Sequence, residues 1–317
     1  MKIAAITPYQ KPDYLVETII EGIYKNGIDL KCSCPGNGAK EKDILSSNEF
    51  YQYAKEADYI FALWGKKRGN FPGIDYNLVK KINQPYKTVY LDGSEWTYSG
   101  HPEPGQVIEA KSNPSRRKGK EWVNKDMLDY CRWYFKRECY PEDTKLGIIP
   151  LLFGAVDKNF NEYELLEDKT IDIFCSFGQL NDGLRSEALH ICKKLQNEGY
   201  NVVTRGNLDY KNFKNYILSS YISIDAWGGG DCCARLWEIL AKSCAFTQKY
   251  NIEFPYDFTD GENIVKYNTS KELEDKLRYY LNNKDKCLKI GEEGYKHLIK
   301  YHTPKKRVEY ILNKINE

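Results

Sequence analysis

Residues 222–250 read ISIDAWGGGDCCARLWEILAKSCAFTQKY, and this stretch is the most informative part of the sequence. The pattern predicts a buried strand over 222–226, a glycine-rich turn, a helix over 234–243 and a second strand over 244–248. Glycines that open a helix let backbone N–H groups approach a phosphate, and the helix dipole favours an anion. The stretch therefore indicates either a phosphate-binding turn or an ordinary turn of an α/β domain.

Two charged residues follow the turn. Arg235 and Glu238 are three positions apart, so they share one face of the predicted helix. They form either an ion pair of that helix or two parts of a nucleotide site, in which a carboxylate accepts hydrogen bonds from ribose hydroxyls. The preceding glycines, Gly228, Gly229 and Gly230, favour the nucleotide site.

Strands and helices alternate along the rest of the chain, which is typical of parallel sheets. Strands are predicted at 2–6, 29–32, 59–63, 88–91, 171–176 and 200–204. Further helices are predicted at 12–26, 48–56, 76–82, 126–138, 183–197, 210–219, 270–282, 286–301 and 304–315. The simplest architecture is α/β, with two doubly wound domains facing a cleft. We expect one domain over 1–150 and a second over 151–303, with a C-terminal helix at about 304–317 packing back on the first.

Composition narrows the class of protein. The chain has 317 residues and is 41% hydrophobic, and its mean hydropathy is −0.65. No apolar run reaches the roughly 18 to 20 residues of a spanning helix, so we expect a cytoplasmic protein without a transmembrane segment. The net charge of +2 carries no strong signature of nucleic-acid binding. The basic stretch 111–125 is the local exception, and indicates a solvated loop or a contact to an anionic substrate.

Ten cysteines are scattered along the chain and none forms a C-x-x-C pair. This spacing argues against a zinc ribbon or a redox dithiol and favours a reducing compartment. No metal site is expected.

A second candidate group lies at the end of the predicted strand 171–176. Gly178 follows that strand, and Arg185 lies on the next helix. Parallel sheets bind ligands beyond the carboxyl ends of their strands, and a guanidinium can bind phosphate through two parallel hydrogen bonds. Arg185 is therefore either a diphosphate ligand or a surface arginine with Glu187 nearby.

Five segments carry a family resemblance, although each one alone is weak. They are RLWEILAKSCAFTQ (235–248), DGENIVKY (260–267), KELEDKLRYYLNN (271–283), IGEEGYKHLIK (290–300) and YHTPKKR (301–307). In this order they resemble the C-terminal domain of the group 1 glycosyltransferases, especially the CgeB-like (spore-maturation type) branch. The N-terminal half is similar only through LDGSEW (91–96) and YFKRE (134–138).

The resemblance implies a GT-B fold of two Rossmann-like domains. It implies a nucleotide-sugar donor, a UDP- or GDP-sugar, as co-substrate, with no other cofactor and no metal. Glu238 would hold the ribose hydroxyls, while Arg235 and the glycine turn would face the donor sugar or the diphosphate. Arg185 would assist the diphosphate, beside Gly178. The N-terminal domain would bind the acceptor.

One departure from the family concerns catalysis. Retaining members often have a glutamate eight residues before the ribose glutamate, and here that position is Gly230, followed by Asp231. An inverting reaction would need a base for the acceptor hydroxyl. The candidate catalytic residues are Asp92, Glu95 and Asp231. Asp92 also fits a turn aspartate, and His101 fits a loop residue.

The sequence thus indicates a glycosyltransferase (EC 2.4) that moves a sugar to a hydroxyl of a glycan, a small molecule or modified DNA. One alternative is a glycosyltransferase of modified DNA bases, with the 111–125 stretch tracking phosphates. Another is a catalytically degenerate protein that only binds a nucleotide sugar. The oligomeric state and the sugar stay open.

Overall fold

The computed structural model describes residues 1–8, 14–63, 75–94, 123–152, 154–155, 169–177, 184–206, 208–228 and 230–317. In this part of the chain, eleven strands form two separate sheets of six and five strands, and every strand pair is parallel. Helices follow most of the strands. The predicted α/β architecture of two doubly wound units is confirmed.

The first sheet has the strand order β2-β1-β3-β4-β5-β6. Its strands are β1 (Lys2–Ile6), β2 (Asp29–Cys32), β3 (Tyr59–Leu63), β4 (Thr88–Asp92), β5 (Trp133–Lys136) and β6 (Ile149–Pro150). Its helices are α1 (Tyr14–Lys25), α2 (Ser47–Glu56), α3 (Tyr76–Ile82), α4 (Lys125–Tyr130) and α5 (Pro141–Thr144). β4 is buried over its whole length, as expected for a strand whose sheet is covered on both faces.

The second sheet has the order β11-β10-β9-β7-β8. Its strands are β7 (Ile171–Cys175), β8 (Val202–Thr204), β9 (Ser220–Asp225), β10 (Cys244–Gln248) and β11 (Val265–Tyr267). Its helices are α6 (Leu184–Asn197), α7 (Tyr210–Leu218), α8 (Ala234–Leu240), α9 (Ser270–Leu281) and α10 (Lys284–Tyr301). The chain passes from one sheet to the other between β6 and β7, and the boundary at 150/151 stays a prediction.

The helix predicted over 126–138 is wrong. The segment forms the short helix α4 and then the strand β5, which pairs with β4 on one side and β6 on the other. The aromatic run Trp133–Phe135 suits a strand better than a helix, because large aromatic side chains pack well on a pleated surface. Pairing with two neighbouring strands outweighs the local helical pattern. This correction moves Glu138 from a helix to the segment just beyond the end of a strand.

The last helix, α11 (Pro304–Asn316), packs against α1 of the first unit. A side chain at Gly22 would overlap the carbonyl of Pro304, so the two helices approach closely there. Asn26 Nδ2 donates to the carbonyl of Lys305 at 3.0 Å, and Tyr310 Oη donates to the carbonyl of Pro150 at 2.9 Å. One apolar cluster contains buried residues of both units, which therefore share a packed interface.

Within the described part of the chain, no helix has both the length and the apolar character needed to cross a membrane.

Candidate functional site

The second sheet has its topological switch point between β7 and β9. The two strands pair directly, and they end at Cys175 and Asp225 on the same edge. From this point β8 lies on one side of the sheet and β10 on the other. In open parallel sheets the crevice above such a point binds ligands. The residues that follow both strands are therefore the candidate site.

Two guanidinium groups meet over one aromatic ring at this edge. Arg185 lies in the first turn of α6, and Arg235 lies in the first turn of α8. Their Cζ atoms are 5.2 and 4.7 Å from the ring centroid of Phe177. Cation–π contact stabilises each group. Two like charges held this close together also favour an anionic ligand.

The two arginines use their donors differently. Arg185 donates from Nη2 and Nε to the carbonyl oxygen of Ala226, at 3.2 and 3.4 Å. In contrast, Nε and Nη1 of Arg235 are buried and have no hydrogen-bond partner among the residues that the structure describes. Such buried donors are rare in folded proteins and need an explanation. A phosphate that accepts two hydrogen bonds would satisfy both.

Asp225 places a buried carboxylate under the two arginines. It is 1% exposed, and its Oδ2 accepts a hydrogen bond from Thr247 Oγ1 at 3.2 Å. Burial raises the pKa of Asp225 to about 6, while the charges of Arg235 and Arg185 and the bond from Thr247 oppose the rise. The carboxylate therefore offsets part of the positive charge at the switch point.

The described residues of the glycine turn, Gly228, Gly230 and Asp231, lie against charged side chains of the protein itself. A side chain at Gly228 would come within 2.7 Å of Arg185 Nη2. One at Gly230 would overlap Glu138 Oε1 and lie 2.7 Å from Glu138 Cδ. A larger residue at either position would have to displace the end of a guanidinium or carboxylate side chain, and glycine avoids that shift.

Two backbone N–H groups of the turn already donate hydrogen bonds within the protein. Gly228 donates to the carbonyl of Gly230 at 3.1 Å, and Asp231 donates to Glu138 Oε2 at 2.8 Å. The role of the turn in holding a phosphate stays a prediction. Arg235 supplies two buried donors at this edge, Nε and Nη1, that have no hydrogen-bond partner in the described part of the chain.

Glu238 lies one turn beyond Arg235 on α8 and is half-buried. Burial and the negative charge of Glu238 raise the pKa of Tyr210, at the start of α7, to about 12. Glu238 is therefore close to the helix that follows β8, beside the arginine pair. Its role in binding ribose stays a prediction.

Asp231 is fully buried where the two domains meet. Its Oδ1 accepts a hydrogen bond from Tyr140 Oη of the first domain at 3.3 Å. Its Oδ2 accepts one from the backbone N–H of Asn251 at 2.8 Å. The carboxylate of Asp231 is thus hydrogen-bonded to residues of both domains. Its catalytic role stays a prediction.

Asp92 ends β4 and is fully buried. Its Oδ2 accepts hydrogen bonds from Tyr134 Oη at 2.5 Å and from Lys136 Nζ at 3.2 Å, and its Oδ1 accepts one from the backbone N–H of Ser94 at 2.8 Å. A base at this position would have to exchange one of these donors for the acceptor hydroxyl. The role of Asp92 as a base stays a prediction.

Several predicted residues lie outside the described part of the chain. They are Glu95, Gly178, Gly229, His101 and the basic residues 111–122.

Four residues at the site escaped the sequence prediction of site residues: Asp225, Phe177, Arg137 and Glu138. Asp225 is the last residue of β9, directly before the glycine turn. Its place at a strand end was the signal in the sequence that could have identified it as a site residue. Arg137 and Glu138 were assigned to a helix, so their place beyond a strand end was not recognised.

In the described ranges, no group of three or more His, Cys, Asp or Glu side chains could hold a metal ion. The metal independence of the reaction stays a prediction.

A family comparison covers the domain that holds this site. Residues 167–313 match the family model described as Glycosyl transferase-like. The match begins just before β7 and continues into α11, so it includes Arg185, Arg235, Glu238 and the glycine turn. No curated protein sequence is significantly similar to the chain.

Solved structures share the whole fold. An alpha-glucosyltransferase in complex with UDP-glucose and DNA containing an abasic site has a TM-score of 0.64 at 8% identity, covering 100% of this chain and 99% of that one. Anabaena HepE in complex with UDP has a TM-score of 0.57 at 12% identity, covering 100% of both chains. Sucrose-phosphate synthase from Thermosynechococcus elongatus has a TM-score of 0.53 at 11% identity, covering 99% of both chains. The protein therefore has the GT-B fold of two Rossmann-like domains.

Proposed function

We propose that the protein is a glycosyltransferase that moves a sugar from a nucleotide-diphosphate donor to a hydroxyl acceptor. One observation carries the proposal. Arg235 holds two buried donors with no partner in the described residues, at the switch point of the domain that matches the Glycosyl transferase-like family model. A diphosphate is the ligand whose charge and geometry suit an arginine pair there.

The chemistry follows from where charge develops. Breaking the bond between the sugar and the diphosphate leaves negative charge on the leaving oxygen. Arg235 and Arg185 are already held in place by Phe177, and Arg185 also by the carbonyl of Ala226. Because these groups need little reorganisation, they would stabilise the leaving group electrostatically. Asp225 would keep the pair of guanidiniums together before the donor binds.

A UDP-sugar is the donor we favour over a GDP-sugar. The support is that Anabaena HepE and the alpha-glucosyltransferase, which share the fold, were solved with UDP and UDP-glucose. Glu238 would accept hydrogen bonds from the ribose hydroxyls, as acidic residues do in other dinucleotide-type folds. We assign Gly178 and Gly229 to the same nucleotide-sugar site.

The acceptor would bind to the N-terminal domain, across the cleft. Candidate proton acceptors are Asp92 at the end of β4, Glu95 soon after it in the chain, and Asp231 at the domain interface. Of these, Asp92 has a carboxylate that accepts hydrogen bonds from the side chains of Tyr134 and Lys136.

We also propose membership of the CgeB-like branch and a cytoplasmic location. The five motif segments support the first, because they map in order onto α8 and β10, β11, α9, α10 and the start of α11. The absence of a membrane-crossing helix among the described residues is compatible with the second.

A second candidate acceptor is modified DNA. The alpha-glucosyltransferase with the shared fold was solved with DNA, and the 111–125 stretch of this chain is basic. Binding through phosphates would be strongly salt-dependent.

Calorimetric titration with UDP and with GDP tests the donor site, and release of UDP from UDP-glucose tests turnover. We expect UDP to bind more tightly than GDP and slow hydrolysis of UDP-glucose without an acceptor. Binding without any turnover, over a panel of sugar and DNA acceptors, would favour the degenerate alternative. No binding of either nucleotide would overturn the proposal.

A further inference from the structure

A segment of the N-terminal domain reaches across the interface to the glycine turn. It begins directly after β5 and comprises residues 137–140, here called the reaching segment. Its Glu138 Oε2 accepts a hydrogen bond from the backbone N–H of Asp231 at 2.8 Å, and its Tyr140 Oη donates to Asp231 Oδ1 at 3.3 Å. The carbonyl of Cys139 accepts a third bond, from the N–H of Glu253, at 2.7 Å.

The charges of this segment are buried against the turn. Arg137 is 2% exposed and Glu138 is 1% exposed. Arg137 Nε lies 3.6 Å from Glu138 Oε1. Burying two charges costs considerable desolvation free energy, which good geometry and further hydrogen bonds must offset. A chain whose only need was packing would use apolar residues here at less cost.

The turn is shaped to receive these charges. A side chain at Gly230 would overlap Glu138 Oε1 and lie 3.1 Å from Arg137 Nη2. A side chain at Gly228, two residues earlier, would meet the guanidinium of Arg185. The same short turn therefore contacts the N-terminal domain through Gly230 and contacts Arg185 at the switch point through Gly228.

We propose that Glu138 is a positioning residue of the donor site: from the N-terminal domain it holds the glycine turn in the conformation that sets Arg185 for the donor diphosphate. This rests on the proposed function. It makes closure of the domains part of donor binding, because the bond from Asp231 to Glu138 exists only while the domains are in contact. Glu138 acts through the turn and does not touch the donor.

The test combines four variants with UDP as the probe in calorimetric titration. Glu138→Ala removes the acceptor, and we expect at least about a tenfold rise in the Kd for UDP, because hydrogen bonds to charged groups are the stronger class. Gly230→Ala alone should weaken binding similarly, by pushing Glu138 away. In the double variant Gly230→Ala/Glu138→Ala, the alanine at 230 should add little further loss, since its closest steric partner is gone and Arg137 Nη2, at 3.1 Å, is the end of a flexible side chain.

A conservative variant separates positioning from folding. Glu138→Gln keeps the volume and an acceptor oxygen, so we expect an intermediate Kd, and this variant carries the test if Glu138→Ala does not fold. The matched control is Asp43→Asn, which removes the charge of the buried Asp43 from its ion pair with the partly exposed Lys31 inside the N-terminal domain. It should lower the melting temperature without changing the Kd for UDP.

The outcomes are distinct. Wild-type protein that binds UDP, together with a folded Glu138→Ala variant of unchanged Kd, overturns this inference and leaves the proposed function intact. Equal losses from Gly230→Ala in both backgrounds overturn it as well. Wild-type protein that binds neither UDP nor GDP overturns the proposed function, and the inference with it; if GDP alone binds, the same variants are titrated with GDP.

Discussion

Nη2 of Arg307 lies 2.9 Å from Nδ1 of His302, and both side chains are fully buried. A guanidinium can only donate, so Nδ1 accepts and the imidazole is neutral, with its proton on Nε2. Nε2 donates to the carbonyl of Tyr256 at 3.0 Å. Burial, the charge of Arg307 and that of His297 hold the pKa of His302 well below its usual value of 6.5.

This histidine predicts a loss of stability in mild acid. Below pH 6.5 the unfolded chain binds a proton at His302 that the folded protein does not bind. The free energy of unfolding should therefore fall by about 1.4 kcal/mol per pH unit from this group alone, until the folded pKa is reached. Urea unfolding between pH 7.5 and 5.0 measures the slope.

Comparing how the free energy of unfolding of each variant changes with pH isolates the contribution of His302. His302→Gln should be less stable at pH 7.5 but should show a shallower decline towards pH 5. His190 lies exposed on α6, so His190→Gln should keep the wild-type slope. Equal slopes for wild type and His302→Gln would contradict the prediction.

Substitution of Arg235 should reduce the affinity for the donor far more than it reduces the stability of the fold. Its Nε and Nη1 have no hydrogen-bond partner within the described residues, so Arg235→Ala breaks no hydrogen bond of these two atoms. We expect the Kd for UDP to rise by roughly tenfold to a hundredfold, the range for charged hydrogen bonds. Calorimetric titration measures it.

The matched control is Arg278→Ala, which removes an arginine that bonds to Glu198 and Glu274 away from the switch point. Its Kd for UDP should equal that of the wild type. A folded Arg235→Ala variant with wild-type affinity would remove Arg235 from the donor site.

Donor binding should take up protons near pH 6. The pKa of Asp225 is about 6 in the unliganded protein, and a diphosphate on Arg235 and Arg185 would raise it further by repulsion. UDP-glucose should therefore bind more tightly as the pH falls from 7.5 to 6. This sugar nucleotide is the right probe because its diphosphate does not titrate in that range.

Calorimetry in two buffers of different ionisation enthalpy at pH 6.5 counts the protons. Asp225→Asn should abolish the uptake, since an amide does not titrate. Uptake that persists in a folded Asp225→Asn variant would assign the proton to another group.

Packing of α11 on α1 makes Gly22 sensitive. Alanine usually favours a helix by up to about 1 kcal/mol over glycine, but a methyl group here would overlap the carbonyl of Pro304. We expect Gly22→Ala to lower the free energy of unfolding by about 1–3 kcal/mol, the usual cost of overpacking.

Urea denaturation measures this change. Lys25→Ala removes an exposed residue and its ion pair with Glu21 in the last turn of the same helix, and should lower the free energy of unfolding by less than about 0.5 kcal/mol. If Gly22→Ala were as stable as the wild type, α11 would not be held tightly against α1 in solution.

Most of the secondary structure was predictable because its signals are local. The strand over 59–63 and the helix over 76–82 were predicted at the bounds that the structure has. The failure at 126–138 has a non-local cause: the aromatic run Trp133–Phe135 suits a strand, but a run this short is weak local evidence, and β5 forms because β4 and β6 flank it.

Local residue patterns were sufficient to predict the two α/β units and the edge of the second sheet at which Arg185, Arg235 and the glycine turn would gather, since strand ends and helix starts follow from such patterns. The contacts of the turn with the first domain depend on tertiary packing. Glu138 and Asp231 are 93 residues apart and belong to different domains. Their contact depends on how two sheets pack, and packing between distant segments is set by the shape and charge of whole surfaces, which no local pattern records.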